Sequence, residues 1–451
     1  MTNPSLDAYQ QVFSMAILAN RAGGYNGGGI ELQQQLQYDL SYYFNNVPPV
    51  KIMGQNSPSV ADSSVTPFIG NWNLVWGPAL IEEKGKHGVP TGVADNALYV
   101  VQCDTVAFPG GPTVPTYMVA IAATNPASLY DWETEDFSVS EVVNWTTYDP
   151  AKFTPSSYNG TDPYISKGTA TGIGILLGLK SPAHAASPNT TLQEFLAGLR
   201  PNPDTAIIFG GHSLAGALSP TLALYLKENK ELEAFNTVLV YPTAGPTPGE
   251  AAFAKLFNDT FPPLPAGWQP QTKDYQSWNT MHWNDLDVVP HAWSVAELAK
   301  IATIYGQATT NTTTAILNAL QNMAISNSLQ SKTHYTRIQN KSLPGQLQHL
   351  GPKSITIETP PVTIHDYMLQ LAVQHVGLYT GILATDTAPQ VNGLILPKPL
   401  PQNPIKLAPG VTQVSELEMV IKIINQLIDW IFSHYALVEK ERIKQNVEAD
   451  Q

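Results

Sequence analysis

The sequence predicts an α/β fold: a mostly parallel central sheet with a helical N-terminal brace, helical insertions and a C-terminal helix. Three observations predict it. Short apolar runs rich in β-branched and aromatic residues recur near 72–78, 97–103, 117–121, 205–209 and 236–241, bounded by turn formers as strands are. Between them lie longer stretches with apolar residues at helical spacing, the crossovers that parallel strands require. The chain has 451 residues, 43% hydrophobic and only 13% charged. That is long enough to bury one enlarged core and suits a protein of many ordered loops.

In chain order, residues 7–46 hold two helical runs divided by a glycine-rich stretch at 22–29. They form an N-terminal extension, 1–70, expected to pack on the core. A turn-rich connection at 50–68 leads into the sheet-bearing unit, 71–385. Within that unit the apolar, glycine-containing run 172–179 suggests either a lid-like insertion near 165–185 or an ordinary core helix or strand. A second insertion near 291–350 reads as helices joined by Thr/Asn-rich linkers. The remainder, 386–451, opens with a proline-rich extended stretch to 411. It continues as a helix with Leu417, Val420, Ile424, Leu427 and Ile431 along one stripe, either packed on the core or used in self-association.

The chemistry concentrates at one turn. The run Ile207-Ile208-Phe209-Gly210-Gly211-His212-Ser213-Leu214-Ala215-Gly216-Ala217 passes from an apolar strand, through small residues, into a helical start. A serine at such an apex stands on a tight strand-to-helix bend and requires small neighbours. The helix behind it aims backbone N–H groups, that of Leu214 first, at an oxyanion formed on the serine. The bland alternative is a serine that only caps the helix.

A nucleophilic serine needs a histidine base and a carboxylate to orient it. Asp287, before Val288-Val289-Pro290, lies in a segment rich in aromatic and amide side chains, with Asp285 its neighbour and competitor. Among later histidines His375 and His365 are the candidates. His375 is favoured because Gly377 allows close approach and Tyr379 can pack beside the ring. His212, His291 and Trp293 are read as lining the substrate pocket.

The motif Gly211-His212-Ser213-Leu214-Ala215-Gly216-Ala217 resembles the elbow of the class 3 (fungal-type) lipases, α/β-hydrolases, and more closely their bacterial relatives. Ala215 stands where the family has glycine. The family's Asp-x-Val-Pro acid segment is similar to Asp287-Val288-Val289-Pro290, which favours Asp287 over Asp285. The resemblance implies a second oxyanion donor at Thr124, after the strand at 117–121, although the family's arginine and glycine are replaced by Ala122 and Ala123. It implies a carboxylic ester hydrolase, lipase or esterase, working through a serine acyl-enzyme on esters with apolar acyl chains such as acylglycerols. The alternatives are a phospholipase or acyltransferase on the same residues, or an inactive binding protein of the same fold.

Composition bounds the rest. A net charge of −13 argues against nucleic acid and against an electrostatic hold on anionic membranes, leaving room for transient contact with a lipid surface. The single cysteine, Cys103, excludes an internal disulfide and a cysteine-based zinc site. No metal and no organic cofactor are expected. The first residues lack the basic start and apolar run of a secretory signal, and no transmembrane span is read. The expectation is a cytoplasmic protein by default, with non-classical export left open.

Overall fold

A strand covered on both faces is apolar at every position, and Ala206–His212 is buried throughout. In the computed structural model this strand lies near the middle of a nine-stranded sheet. The structure describes residues 6–63, 65–84, 90–122, 138–349, 356–377 and 379, with 407, 409 and 411–413. The strands are β1 (Tyr25–Asn26), β2 (Asn73–Lys84), β3 (Pro90–Ala107), β4 (Thr113–Ile121), β5 (Ala206–His212), β6 (Thr237–Thr243), β7 (Met281–Asn284), β8 (Asn340–Leu343) and β9 (Thr412–Gln413). Their spatial order is β8-β7-β6-β5-β4-β3-β1-β9, with β2 also on β3. Strands β4 to β8 are mutually parallel, and the flank from β4 through β3 to β1, β2 and β9 is antiparallel.

The described helices that matter are α1 (Ala8–Ala19), α2 (Gly29–Leu40), α3 (Lys167–Gly178), α4 (Leu214–Glu228), α5 (Ala251–Thr260), α6 (Asn311–Gln330) and α7 (Ile364–Ala372). Alternate residues of a strand face opposite sides, and the core divides accordingly. Ala206 and Ile208 pack with Val12, Phe13 and Met15 of α1. Ile207 and Phe209 pack with Leu218 and Leu222 of α4 and with Ile173 and Leu176 of α3. The N-terminal helix is thus one face of the core. It begins at a capping box of Asp7 and Gln10, which satisfies amides at the helix start. Tyr275 and Gln276 donate to the same Asp7 carboxylate at 3.0 and 2.8 Å.

Several expectations change. Of the two readings of the run 172–179, the structure shows a core helix: residues 172–178 belong to α3, whose Ile173, Leu176 and Leu177 are core residues. Its helical spacing turns one apolar stripe inward, and burial of that stripe outweighs the flexibility its glycines allow. Strand β7, in a segment read as a loop, and β8, in a region read as helices joined by linkers, extend the parallel sheet. The stretch 291–350 otherwise carries short helical turns and α6, as its pattern suggested. The helix at 415–445 and the proline-rich run before 407 lie outside the described residues.

Candidate active site

The nucleophile's turn is set by what its neighbours lack. Strand β5 runs to His212, and Ser213 then takes φ 60° and ψ −130° before α4 begins. A positive φ on a residue with a Cβ costs about 1–3 kcal/mol, and each large apolar side chain buried around it contributes about as much. Two glycines allow the bend. A Cβ on Gly211 would collide with Ala215, and one on Gly216 with the Thr243 carbonyl and Gly245. Ala215, the departure from the usual glycine, is fully buried against the gap that Gly211 leaves. The Ser213 N–H is bonded to the Thr243 carbonyl of β6 at 3.0 Å. The Leu214 N–H opens α4 and has no partner within the helix.

The structure brings the favoured residues together. Ser213 Oγ lies 2.7 Å from His375 Nε2, and His375 Nδ1 lies 3.0 and 2.9 Å from the two oxygens of Asp287. Because a carboxylate only accepts, Nδ1 carries the proton and Nε2 is left to accept from the serine. Asp287 is wholly buried, so its charge must be satisfied by donors. These are His375, the Val289 N–H at 3.0 Å and the Tyr379 hydroxyl at 2.8 Å. Burial, and then the Asp287 charge, push the Tyr379 phenol far above its ordinary range, so it remains a donor.

The elements explain the convergence. Ser213 follows β5, and Asp287 lies three residues past the end of β7, both at the carboxyl ends of parallel strands, where open α/β sheets build their sites. His375 arrives on a wide helical turn, Val373–Gly377, that continues α7. Two residues not singled out for this role, Tyr379 through its hydroxyl and Asn284 through its backbone, complete the arrangement. Asn284, at the end of β7, donates its backbone N–H to Tyr379 Oη at 2.7 Å and accepts at its carbonyl from the Asp287 N–H at 2.9 Å. A buried amide three residues before the acid was the available signal.

The competing residues lie elsewhere. Asp285 is exposed and accepts from the Gly345 N–H at 2.6 Å, a loop-closing carboxylate. His365 is exposed on α7: it and His375 fall on different faces of the helical segment, and His375 is the one bonded to Ser213. His212, His291 and Trp293, expected to line the pocket, are buried. His212 is occupied by protein atoms at both nitrogens. His291 Nδ1 lies 3.1 Å from Glu297, a carboxylate also paired at 3.1 Å with Arg337. Trp293 packs in a cluster with Val139, Tyr164, Leu298 and Tyr335. Thr124 lies outside the described residues. Among the described residues no group of three His, Cys, Asp or Glu side chains is arranged to hold a metal, and no helix is long and apolar enough to cross a membrane.

With this geometry in place, comparison with known proteins is informative. Residues 138–296, which include Ser213 and Asp287, match the family model of class 3 lipases. No curated protein sequence matches the chain. Among solved structures it is similar to M37 lipase, with 25% identity over 83% of this chain and 92% of that one, at a TM-score of 0.56. Weaker likenesses are a mono- and diacylglycerol lipase from Aspergillus oryzae, 14% identical over 58% and 72% with a TM-score of 0.31, and a Rhizomucor miehei lipase propeptide complex, 17% identical over 49% and 50% with a TM-score of 0.28. The fold is that of the α/β-hydrolases, and the class 3 lipase match together with the likeness to M37 lipase supports a lipolytic hydrolase.

Proposed function

We propose that this chain, which carries a class 3 lipase region over residues 138–296, hydrolyses carboxylic esters through an acyl-enzyme on Ser213. The observation that carries the reading is the unbroken hydrogen-bond chain from Ser213 Oγ through His375 to the buried Asp287. Ser213 Oγ attacks the ester carbonyl while His375 Nε2 takes its proton, and Asp287 holds the Nδ1 proton and stabilises the imidazolium. The carbonyl oxygen becomes an oxyanion facing the Leu214 N–H. One such donor contributes about 3 kcal/mol to the transition state. The C–O bond to the alcohol breaks, and His375 returns the proton to that alcohol. Water then repeats the sequence on the acyl-serine to release the acid. Besides substrate and water, the steps draw on side-chain and backbone groups of this protein.

The class 3 lipase match and the likeness to M37 lipase support lipid esters; we propose in addition that their acyl chains are apolar, acylglycerols foremost, and that they are met by transient contact with a lipid surface. Fluorophosphonate labelling, with p-nitrophenyl esters of short and long chain followed by triglyceride and phospholipid, tests the proposal. Labelling at Ser213 that vanishes in Ser213→Ala, with faster turnover of long-chain esters, is the expected result. Phospholipid preference would redirect it to a phospholipase, and ester exchange in added alcohol to an acyltransferase. A folded protein that does not label would be inactive, and the proposal would be wrong.

A further inference from the structure

We infer that His212 and Asn284 are positioning residues for the base, each holding one of two successive carbonyl groups on the turn that carries His375. His212 Nε2 lies 2.9 Å from the His375 carbonyl oxygen. Asn284 Nδ2 lies 3.0 Å from the Gln374 carbonyl oxygen and 2.7 Å from Gln374 Oε1. One grip therefore comes from the residue beside the nucleophile, and the other from the residue three before the acid. The imidazole is held through its own backbone by the two segments that carry its hydrogen-bond partners, the serine and the acid.

The donor roles follow from the partners. A carbonyl oxygen only accepts, so His212 carries its proton on Nε2, and its Nδ1 accepts from the Thr243 hydroxyl at 3.0 Å. Burial, then the nearby His375 ring, hold His212 well below its ordinary pKa against the opposing carbonyl bond. It is therefore neutral while the enzyme works. That matters because the two rings are 4.9 Å apart, and a second cation there would oppose the imidazolium formed during acylation. The Asn284 amide has one orientation: Oδ1 accepts from the Leu286 N–H at 3.0 Å, so Nδ2 must face Gln374. Asn284 is fully buried, and Gln374 is secured from its far side by donating to the Gln346 carbonyl at 2.8 Å.

Neither side chain meets a reacting atom, so their effect must appear in the chemical step. This inference rests on the serine hydrolase reading, and the experiment separates the two. Fluorophosphonate labelling rates, kcat and KM on a p-nitrophenyl ester, and urea midpoints are measured for the wild type, His212→Leu, His212→Gln and Asn284→Leu. A base turn displaced by a fraction of an ångström should slow labelling and kcat about 10- to 100-fold, with KM unchanged. His212→Gln, whose amide can reach the His375 carbonyl, should recover most of the rate. If the wild type itself fails to label, the hydrolase reading falls. If the wild type labels and the folded leucine variants match its rate, the positioning role is refuted. If His212→Leu does not fold, His212→Gln is compared with His212→Asn, whose amide is too short to reach, and equal rates refute the role.

Discussion

Tyr379 offers a quantitative test of how the acid is held. Replacing it with phenylalanine keeps the ring and removes only the hydroxyl, which donates to Asp287 at 2.8 Å and accepts the Asn284 N–H at 2.7 Å. Both partners are fully buried. Losing a bond to a charged group costs about 1.5–3 kcal/mol, and stranding a buried N–H about 1–3 kcal/mol. The sum, about 2.5–6 kcal/mol, is a large share of the ordinary stability of a folded protein. In a chain of this length each kcal/mol moves Tm by about 1–2 °C, so Tm should fall by about 3–12 °C. Asp287 retains His375 and the Val289 N–H, so kcat should drop only about tenfold, the worth of one such bond in the transition state. Calorimetry and ester kinetics on the purified variant check both figures. A Tyr379→Phe protein as stable as the wild type would refute the accounting.

Other perturbations follow from the same geometry. His375→Ala should abolish Ser213 labelling, while His365→Ala, on an exposed position, should stay within about twofold of the wild type; the reverse would move the base. Gly216→Val should lose labelling and fold poorly, because its side chain would enter the Thr243 carbonyl and Gly245, and limited proteolysis would register the damage. Ala215→Gly, restoring the common elbow residue, should keep activity but lose about 1 kcal/mol of helix stability, measured by urea unfolding. His282 is buried, and desolvation lowers its pKa to about 4, below the unfolded value. Its contribution is complete above about pH 6.5 and is lost as pH falls toward 4, a change of about 3 kcal/mol. Comparing His282→Gln with the wild type at pH 7 and 4.5 should show a shallower acid loss in the variant; parallel losses would contradict it.

Much of this was legible in the sequence, for identifiable reasons. Strand β5 reads clearly because it is buried on both faces, and the bend after it because small residues must surround a strained serine. Strands β7 and β8 did not read as strands. Met281-His282-Trp283-Asn284 and Asn340-Lys341-Ser342-Leu343 are short and polar, and only pairing with distant partners makes them extended. Tyr379 was noticed for its ring, whereas its hydroxyl makes the consequential bonds; its ring packs 5.0 Å from His212. His212 looked like a pocket residue because adjacency to a nucleophile suggests contact with substrate. Its ring instead packs among Phe13, His375 and Tyr379. The run 172–179 looked mobile from its glycines, yet its apolar stripe matches a helix face.

The spacing of the site along the chain bears on how the protein matures. Ser213 and His375 are 162 residues apart, and His375 and Asp287 are 88 apart, so no local folding event can complete the constellation. Contacts between such distant segments carry the largest loop-closure cost and form slowly. During refolding from urea, helical signal and burial of tryptophan should return first, and esterase activity last. Recovered turnover would thus measure native long-range assembly, and a nascent chain released before residue 375 would carry the elbow but no base.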